Sequence, residues 1–347
     1  KIPELASSRT PASVPIGGKY RIIDFDLSNM SNSGISNVGI VAKSNFQSLM
    51  DHVGSGSAYD LSKRRSNLSI LPPYDGKAFS SFVETIYNMH GYIEHCREEY
   101  VLISQGNVIT NIDYTDVFDF HSKKKADITL IYKNHAIPQG YDRPITLDVD
   151  NDGKVNQIFV KPGVVDKEVF NHAYGSILIK KDLLMSEIRN AISVNQLDVK
   201  RLIQSSLGKY SIYAYENKGY CAAISSINDY FEFNMDLMKK EVRDELFNPQ
   251  RPIYTKVRDD APSRYGLTSN VKNSIIAQGC VINVISKGVY VGEGAKLSNC
   301  IVMQDTKIGC NTNLNYVIID KDVTIKDGRS LMGYDSYPIY IAKKSVV

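Results

Sequence analysis

The stretch Pro15-Ile-Gly-Gly-Lys-Tyr-Arg-Ile-Ile-Asp-Phe-Asp-Leu-Ser-Asn-Met-Ser-Asn-Ser-Gly-Ile35 is the most informative part of this 347-residue chain. It joins the glycine pair Gly17-Gly18 and a Lys-x-Arg sequence to the apolar pair Ile22-Ile23. A polar run then begins a helix after Asp24. This order of features is long and unusual, and it predicts a specific fold for the segments on either side of it.

Short β-rich runs alternate with helical patterns from the N-terminus to about residue 235. The predicted strands span 38–41, 100–104 and 126–132, and the predicted helices span 45–53, 80–99 and 116–124. The longest helix places four apolar residues on one face, namely Phe82, Ile86, Met89 and Ile93. Residues 148–153 predict a hairpin tip. The alternative, a Ca²⁺ loop, is disfavoured because the bidentate Glu that it would need is absent. Strands that alternate with helices favour a mostly parallel sheet covered on both faces.

From Asn273 onward the sequence follows a 17-residue period. Three sets of equivalent positions carry the period: Val291, Ile308 and Ile325; Leu297, Leu314 and Leu331; and the tripeptides 300–302 and 317–319. Aliphatic residues recur every five or six positions, which is typical of a β-helix with three flat sides. The period fails between Asn273 and Val284, where the first coil is about six residues too short. We expect that residues near Asn283 are missing from this sequence, rather than that one coil of the β-helix is shorter than the others.

The composition excludes several classes of protein. Apolar residues make up 43% of the chain and charged residues 23%, as in a soluble globular protein. The net charge of +3 and the lack of a long basic block argue against nucleic acid. No apolar run is long enough for a membrane span, and no signal peptide is visible. The five cysteines form no CxxC or Cys/His cluster, which predicts reduced thiols, a cytoplasmic location and no metal site.

The 15–35 stretch resembles the N-terminal signature of the glucose-1-phosphate adenylyltransferase (ADP-glucose pyrophosphorylase) family. These enzymes make ADP-glucose from ATP and glucose 1-phosphate. The resemblance covers nearly the whole chain and implies an α/β fold. Its N-terminal nucleotidyltransferase domain is Rossmann-like with a mostly parallel sheet, and a left-handed parallel β-helix follows it. We expect the first domain at 1–240, a linker at 241–270 and the β-helix at 271–347, with the family's glycine-rich loop upstream of Lys1.

Three positions that carry the family's chemistry differ in this chain. Pro11 stands where the resemblance implies a phosphate-neutralising lysine, and proline has neither a charge nor an N–H group. Asn107, after Gly106, stands where the first metal-binding aspartate is implied. Counting back from the Tyr-aromatic-Glu-x-Asn pattern at 230–234, the second such aspartate is replaced by Ala223. The sequence therefore predicts an active site that is degenerate at Pro11, Asn107 and Ala223, with no catalytic residue and no bound metal.

Nucleotide and sugar contacts are only partly kept. The implied nucleotide-binding segment at the start of the long helix reads Ser-Phe-Val-Glu-Thr here, and Phe82 puts bulk where the family's backbone approaches the nucleotide. Lys161, within Phe-Val-Lys-Pro, matches the lysine that holds the sugar phosphate, although a solvated lysine before a turn proline is an equal alternative. Gly175 lies where the resemblance implies a contact with the sugar.

Three basic residues fall in the region that forms part of the activator site in bacterial relatives: Arg9, Lys19 and Arg21. The resemblance implies an effector-binding role for them, although a neighbouring basic residue is replaced by Ser8 and a histidine by Pro15. The alternative is that the arginines bridge subunits or the two domains.

Within the family, the resemblance is closest to the non-catalytic GlgD-type regulatory subunits. It implies a subunit in glycogen biosynthesis that assembles with and activates the catalytic homologue, as a mixed tetramer. We expect no tightly bound cofactor, with Mg²⁺ only where residual activity exists, and a sugar phosphate or nucleotide stays open as a ligand. The main alternative is an active adenylyltransferase with divergent metal ligands. A β-helix acyltransferase is disfavoured because the repeats contain no catalytic histidine.

Overall fold

The computed structural model describes residues 2–42, 45–62, 67–71, 81–135, 145–160, 170–257, 264–265, 268, 270–272, 274–276 and 288–347. The chain divides into two compact units. Unit 1 comprises Lys1–Leu27, Asn45–Gly54 and Ala222–Val347, and unit 2 comprises Ser28–Ser44 and Ser55–Cys221. The domain limits expected from the sequence, at residues 240 and 270, stay a prediction.

The described helices are α1 Pro3–Ala6, α2 Ile22–Asn32, α3 Gln47–Val53, α4 Phe82–Asn88, α5 His90–His95, α6 Tyr114–Lys124, α7 Lys181–Ser193, α8 Val199–Ser205, α9 Ile227–Asp236 and α10 Lys240–Leu246. The described strands are β1 Pro15–Ile16, β2 Tyr20–Arg21, β3 Asn37–Val41, β4 Asn67–Leu71, β5 Tyr100–Ile103, β6 Val108–Thr110, β7 Ile128–His135, β8 Ile145–Val149, β9 Val155–Val160, β10 Phe170–Lys180, β11 Ile212–Glu216, β12 Cys221–Ala223, β13 Arg264–Tyr265, β14 Asn270–Lys272, β15 Ile275–Ile276, β16 Tyr290–Val291, β17 Lys296–Val302, β18 Lys307–Ile308, β19 Asn313–Ile319, β20 Thr324–Ile325, β21 Ser330–Met332 and β22 Ile339–Ile341.

Unit 2 is built on a mixed sheet with the strand order β11-β7-β10-β8-β9, and β5 also pairs with β10. Strands β7 and β11 are parallel, whereas β10 runs antiparallel to β5, β7 and β8. The predicted α/β class is confirmed, and the antiparallel β10 makes the sheet mixed. The predicted hairpin tip is confirmed too, because β8 and β9 pair antiparallel. Asp150 closes the turn by accepting hydrogen bonds from the backbone N–H groups of Asp152 and Lys154, both at 2.9 Å.

The predicted helix 80–99 is divided at Met89 into α4 and α5. The Met89 N–H group is shared between the carbonyl oxygens of Thr85 and Ile86, which tightens the turn as in a 3-10 helix. The apolar face survives the division, since Ile86, Met89 and Ile93 are all buried. They belong to the main core of unit 2, which α7 and the sheet complete.

The C-terminal part of unit 1 confirms the 17-residue period. Leu297 lies opposite Leu314, which lies opposite Leu331 in the next coil. All of these coils pair in parallel, as predicted for a β-helix. The inward side chains form one apolar core, whose fully enclosed members include Val291, Cys300, Ile308, Leu314, Val317 and Ile319. The parallel coils and their spacing are consistent with the predicted left-handed β-helix.

The β-helix turns its corners at residues with left-handed backbone conformation. Three corner rows follow the 17-residue period: Gly294, Asn311 and Gly328; Asn299 and Tyr316; and Asp305 and Asp322. Glycine, Asn and Asp adopt this conformation more readily than other residues. Tyr316 (φ 53°) is the exception, because a bulky residue in this region is strained.

The first and last coils depart from the period. Ile275 lies opposite Ile301, so these equivalent positions are further apart along the chain than one period. The predicted shortfall between Asn273 and Val284 is therefore wrong, because the first coil is longer than the period. Asn283 itself lies outside the described residues. In the last coil, Val317 lies opposite Ile339, and this separation also exceeds one period.

Within the described residues, no helix has the combination of length and apolar character that a membrane crossing requires.

Candidate functional site

The glycine pair of the opening stretch forms the turn between β1 and β2, and helix α9 holds this turn in place. Gly17 and Gly18 have positive φ angles of 55° and 82°, a conformation that glycine adopts without strain. The Gly17 N–H group donates a hydrogen bond to Asn234 Oδ1 at 3.2 Å. The Tyr230 hydroxyl donates to the Pro15 carbonyl oxygen at 2.9 Å. The Tyr-aromatic-Glu-x-Asn pattern thus anchors the glycine turn to α9 in unit 1.

Arg9 is buried and paired inside unit 1. Its Nη2 donates to both carboxylate oxygens of Asp320, at 2.8 and 2.9 Å. The two side chains are only 5% and 2% exposed. The Tyr340 hydroxyl also donates to Asp320, at 2.8 Å. Burial, followed by the nearby Asp320 carboxylate, raises the pKa of Tyr340 and of Tyr230 above the ordinary value.

The partner of Arg9 was missed from the sequence, although the repeat contains a signal for it. Asp320 occupies the position that Met303 holds one coil earlier. A carboxylate in the register of a buried methionine needs a cation or several donors, because an unpaired buried charge is costly. Arg9 Nη1 also contacts Met303 Sδ at 4.0 Å, so one guanidinium bridges both coils.

Arg21 is likewise buried, and it binds helix α3. Its Nη1 donates to the carbonyl oxygen and the hydroxyl of Ser48, at 2.6 and 2.8 Å. Its backbone N–H group donates to Asp24 Oδ2, and Asp24 Oδ1 lies 2.6 Å from His52 Nε2. These contacts join the start of α2 to α3 in unit 1.

The three basic residues predicted to bind an effector therefore differ in their surroundings. Lys19 is exposed, with its ammonium 4.9 Å from the centroid of the Tyr20 ring. Arg9 binds Asp320 and so joins the expected first domain to the expected β-helix, as in the alternative in which the arginines bridge the two domains, whereas Arg21 binds Ser48 within the first. An effector role for these three residues stays a prediction.

Pro11 begins the 3-10 turn Pro11–Ser13 and is exposed. Its fixed φ angle suits the first position of a helical turn, where the missing N–H group is not needed. The Thr10 carbonyl oxygen accepts the Ser13 N–H group at 3.0 Å, which closes the turn. The segment is thus locally stable, but Pro11 brings no charge to it.

In unit 2, the loop between β5 and β6 brings Asn107 and Gly175 into one region. Asn107 follows Gly106, which has a positive φ angle of 65°, and its amide oxygen is buried. The neighbouring Gln105 side chain lies over Gly175, so that a Cβ atom added at Gly175 would lie 2.0 Å from Gln105 Nε2. Gly175 itself (φ 80°) lies in the irregularity of β10 between Ala173 and Ile177.

We expect Gly175→Ala to destabilise the protein by about 1–2 kcal/mol, because a residue with a Cβ is strained at this φ angle. The steric part of the effect can be separated in the Gln105→Ala background, where the crowding side chain is gone. Urea denaturation should show that Gln105→Ala restores little of the loss, since the end of a flexible exposed side chain moves easily. Full recovery in that background would show that crowding, and not the backbone angle, requires glycine.

Ala223 ends strand β12, is half-buried, and belongs to unit 1. The next polar residues cap helix α9. Ser226 accepts the Asp229 N–H group, and Asp229 in turn accepts the N–H groups of Ser225 and Ser226, at 2.9 and 2.8 Å. This capping box fixes the start of α9, and the Ala223 side chain offers only a methyl group.

The start of helix α4, where the resemblance implies nucleotide contacts, is also capped from within the chain. Ser81 and Glu84 form a capping box, in which the Glu84 N–H group donates to Ser81 Oγ at 3.1 Å. Phe82 is half-buried and packs against the main core of unit 2. The Glu84 carboxylate places negative charge at this helix end, which disfavours a phosphate there.

The predicted sugar-phosphate residue Lys161 lies outside the described residues. Among the residues that the structure describes, no group of three or more His, Cys, Asp or Glu could hold a metal ion. His52 and His121 are buried and bonded, to Asp24 and to Thr129 respectively.

Comparisons with known proteins agree with this arrangement. A family model described as nucleotidyl transferase matches residues 2–240, and a model described as GlmU-like, C-terminal hexapeptide matches residues 256–337. The glycogen biosynthesis protein GlgD of Bacillus subtilis is 31% identical over 350 residues, which cover 98% of this chain and 91% of that protein. A glucose-1-phosphate adenylyltransferase of Clostridium acetobutylicum is 33% identical over 296 residues, 81% of this chain and 77% of that enzyme. One of Clostridium perfringens is 30% identical over 367 residues, 99% and 92% respectively.

Proposed function

Because this chain belongs to the glucose-1-phosphate adenylyltransferase family, we propose that it is a regulatory, catalytically degenerate subunit of that enzyme. In this role it assembles with the catalytic homologue in glycogen biosynthesis and raises its activity. The proposal rests on the residues found at three positions, none of which carries a charge. Pro11, Asn107 and Ala223 bring neither the cation nor the two carboxylates that the family resemblance implies.

The residues present do not fit a catalytic Mg²⁺. Mg²⁺ in proteins is held through carboxylates together with substrate phosphates. Asn107 offers a neutral, buried amide oxygen, and Ala223 offers no ligand atom. We therefore derive no step of adenylyl transfer from this chain.

A regulatory role is supported by the way the N-terminal segment is fastened in unit 1. Arg9 binds Asp320 in the β-helix, and the Gly17-Gly18 turn binds α9. A ligand or partner that touches this segment therefore acts on residues coupled to the β-helix. Tuning of a catalytic partner requires different contacts in two states of the assembly. The effector residues Arg9, Lys19 and Arg21, and the sugar-phosphate residues Lys161 and Gly175, belong to the same proposal.

The test is to mix this chain with the catalytic homologue from the same organism and to measure mass and activity together. We expect a mixed tetramer by multi-angle light scattering, with adenylyltransferase activity per catalytic subunit above that of the homologue alone. The matched control replaces this chain by an equal amount of the catalytic homologue. Two separate species with unchanged activity would contradict the proposal.

The second candidate is an active adenylyltransferase with divergent metal ligands. It is favoured by the chain's identity of 33% and 30% to proteins that carry that enzyme name, which is close to its 31% identity to GlgD. An amide oxygen such as that of Asn107 can also touch Mg²⁺. The activity of the chain on its own separates the two candidates.

A further inference from the structure

The last complete coil of the β-helix carries an extra hairpin that breaks the period. Tyr334 and Tyr337 exchange backbone hydrogen bonds of 3.2 and 3.1 Å, so that Asp335 and Ser336 form a two-residue tip. Both tyrosine side chains point to solvent, at 72% and 75% exposed. We call residues 333–338 the tyrosine hairpin. The adjoining strands keep their register, so the core of the β-helix does not need the extra length.

The tyrosine hairpin is held in a fixed position. Asn228, in the first turn of α9, donates from Nδ2 to the Ser336 carbonyl oxygen at 2.9 Å. This bond ties the hairpin backbone to α9, so less backbone freedom is lost when the two exposed tyrosines bind a partner. Exposed tyrosines on a rigid element are typical of binding surfaces.

An open groove of about 630 Å³ adjoins the hairpin, between α9 and the β-helix in unit 1. Its apolar part includes Met235, Met238 and the Tyr316 ring, whose centroid lies 5.9 Å from that of Phe231. Methionine suits surfaces that adapt to a partner. The groove and the tyrosine hairpin form one continuous surface, because Asp335 and Ser336 also line the groove.

Tyr316 gives an independent indication that this surface is functional. It occupies a left-handed corner that Asn299 occupies one coil earlier, although asparagine suits that conformation far better. A bulky residue kept at a strained position points to a role for its side chain. The Tyr316 ring faces the groove and not the apolar core of the β-helix.

The carboxylates that line the groove indicate a positively charged binding partner. They belong to Glu232, Asp236 and Asp335. Asp236 already pairs with Lys239 at 2.6 Å, whereas Glu232 is exposed at the rim. Partial desolvation beside the groove, followed by the nearby carboxylates of Asp229 and Asp236, raises the pKa of Glu232, and an incoming cation would relieve the repulsion among these carboxylates. Arginine or lysine beside apolar side chains fits such a surface, since the cation meets carboxylates and the aromatic face of Tyr316.

We infer that the groove and the tyrosine hairpin dock a basic, partly apolar segment of a partner polypeptide. The partner is the catalytic homologue, so the inference rests on the proposed function and assigns the surface that the assembly uses. Tyr316 in the groove and the exposed Tyr334 and Tyr337 beside it supply affinity, and the carboxylates supply orientation and rate of association.

The test measures the dissociation constant between this full chain and the catalytic homologue for three variants. The variants are Tyr334→Ser/Tyr337→Ser, Glu232→Lys and Tyr316→Asn. We expect each to weaken association by about tenfold or more. The salt dependence of association should become shallower in Glu232→Lys, because that variant removes an attractive charge. Tyr316→Asn should leave the unfolding midpoint unchanged or raise it, since asparagine relieves the corner strain, and this result separates a binding role from a structural one.

The matched controls lie elsewhere on the β-helix. Tyr290→Ser removes a tyrosine that is 43% exposed, and Glu293→Lys reverses an exposed charge. Both should bind the homologue within twofold of wild type. Wild-type association with none of the three variants weakened would overturn the inference and leave the proposed function standing. A change only in the self-association of this chain would assign the surface to a second copy and also overturn it. No association of the wild-type chain would overturn the proposed function and this inference together.

Discussion

Purified alone, with ATP, glucose 1-phosphate and Mg²⁺, this chain should form ADP-glucose at least about 1,000-fold more slowly than the catalytic homologue. The loss of one preorganised electrostatic group typically costs a factor of about 100 to 1,000 in kcat. Three such groups are absent here, since Pro11, Asn107 and Ala223 provide no charge. A coupled assay of diphosphate release measures the rate of ADP-glucose formation.

Restoring the carboxylates tests the same explanation from the other side. Asn107→Asp with Ala223→Asp should raise the rate, although Pro11 still lacks the phosphate-neutralising cation, so we expect less than the rate of the homologue. The triple variant with Pro11→Lys should be faster than the double variant. Wild-type turnover within tenfold of the homologue, abolished by Lys161→Ala, would contradict the regulatory proposal and support an active enzyme.

Replacing Arg9 by methionine should destabilise the protein by about 3–5 kcal/mol, because it leaves the Asp320 carboxylate buried without its cation. The large loss is expected because both side chains are almost completely buried. Arg9 Nη2 also contacts both carboxylate oxygens of Asp320, at 2.8 and 2.9 Å. Tyr340 and the Lys321 N–H group still donate to the carboxylate in the variant, but they bring no positive charge. Urea denaturation at neutral pH measures the loss.

The double variant Arg9→Met/Asp320→Met separates the unpaired charge from the packing. It gives this coil the methionine that the preceding coil has at Met303, and it leaves no buried charge. We expect the double variant to recover most of the stability lost in the single one. Lys240→Met serves as control, because its partner Asp244 is 65% exposed and such pairs contribute less than about 1 kcal/mol. A loss below about 1 kcal/mol in Arg9→Met would show that Arg9 contributes little to the attachment of the N-terminal segment.

The fold could be predicted well where a pattern repeats and less well where distant residues meet. The 17-residue period fixed the pairing of Leu297, Leu314 and Leu331, because each coil repeats one local solution. The antiparallel direction of β10 could not be predicted, since an apolar run has the same composition in either direction. The division of the long helix at Met89 depends on a shared hydrogen bond, which no spacing of apolar residues encodes.

The candidate site shows the same limit. The roles of Pro11, Asn107 and Ala223 stay predictions, because they rest on the family resemblance and on counting from recognisable motifs. The partners of Arg9 and Arg21 could not be predicted, because Asp320 lies 311 residues away from Arg9 along the chain. Only the anomaly of an aspartate in the register of Met303 pointed to such a pairing.

The left-handed corners have a consequence for how this part of the chain can change over time. At the Tyr316 corner the pairing of β19 is interrupted, since Asn315 pairs with Met332 and Val317 with Ile339. Residues inserted there leave the register on both sides intact, as the tyrosine hairpin does between β21 and β22. This corner is thus a place where the chain tolerates added length while the stacked scaffold beneath it stays the same.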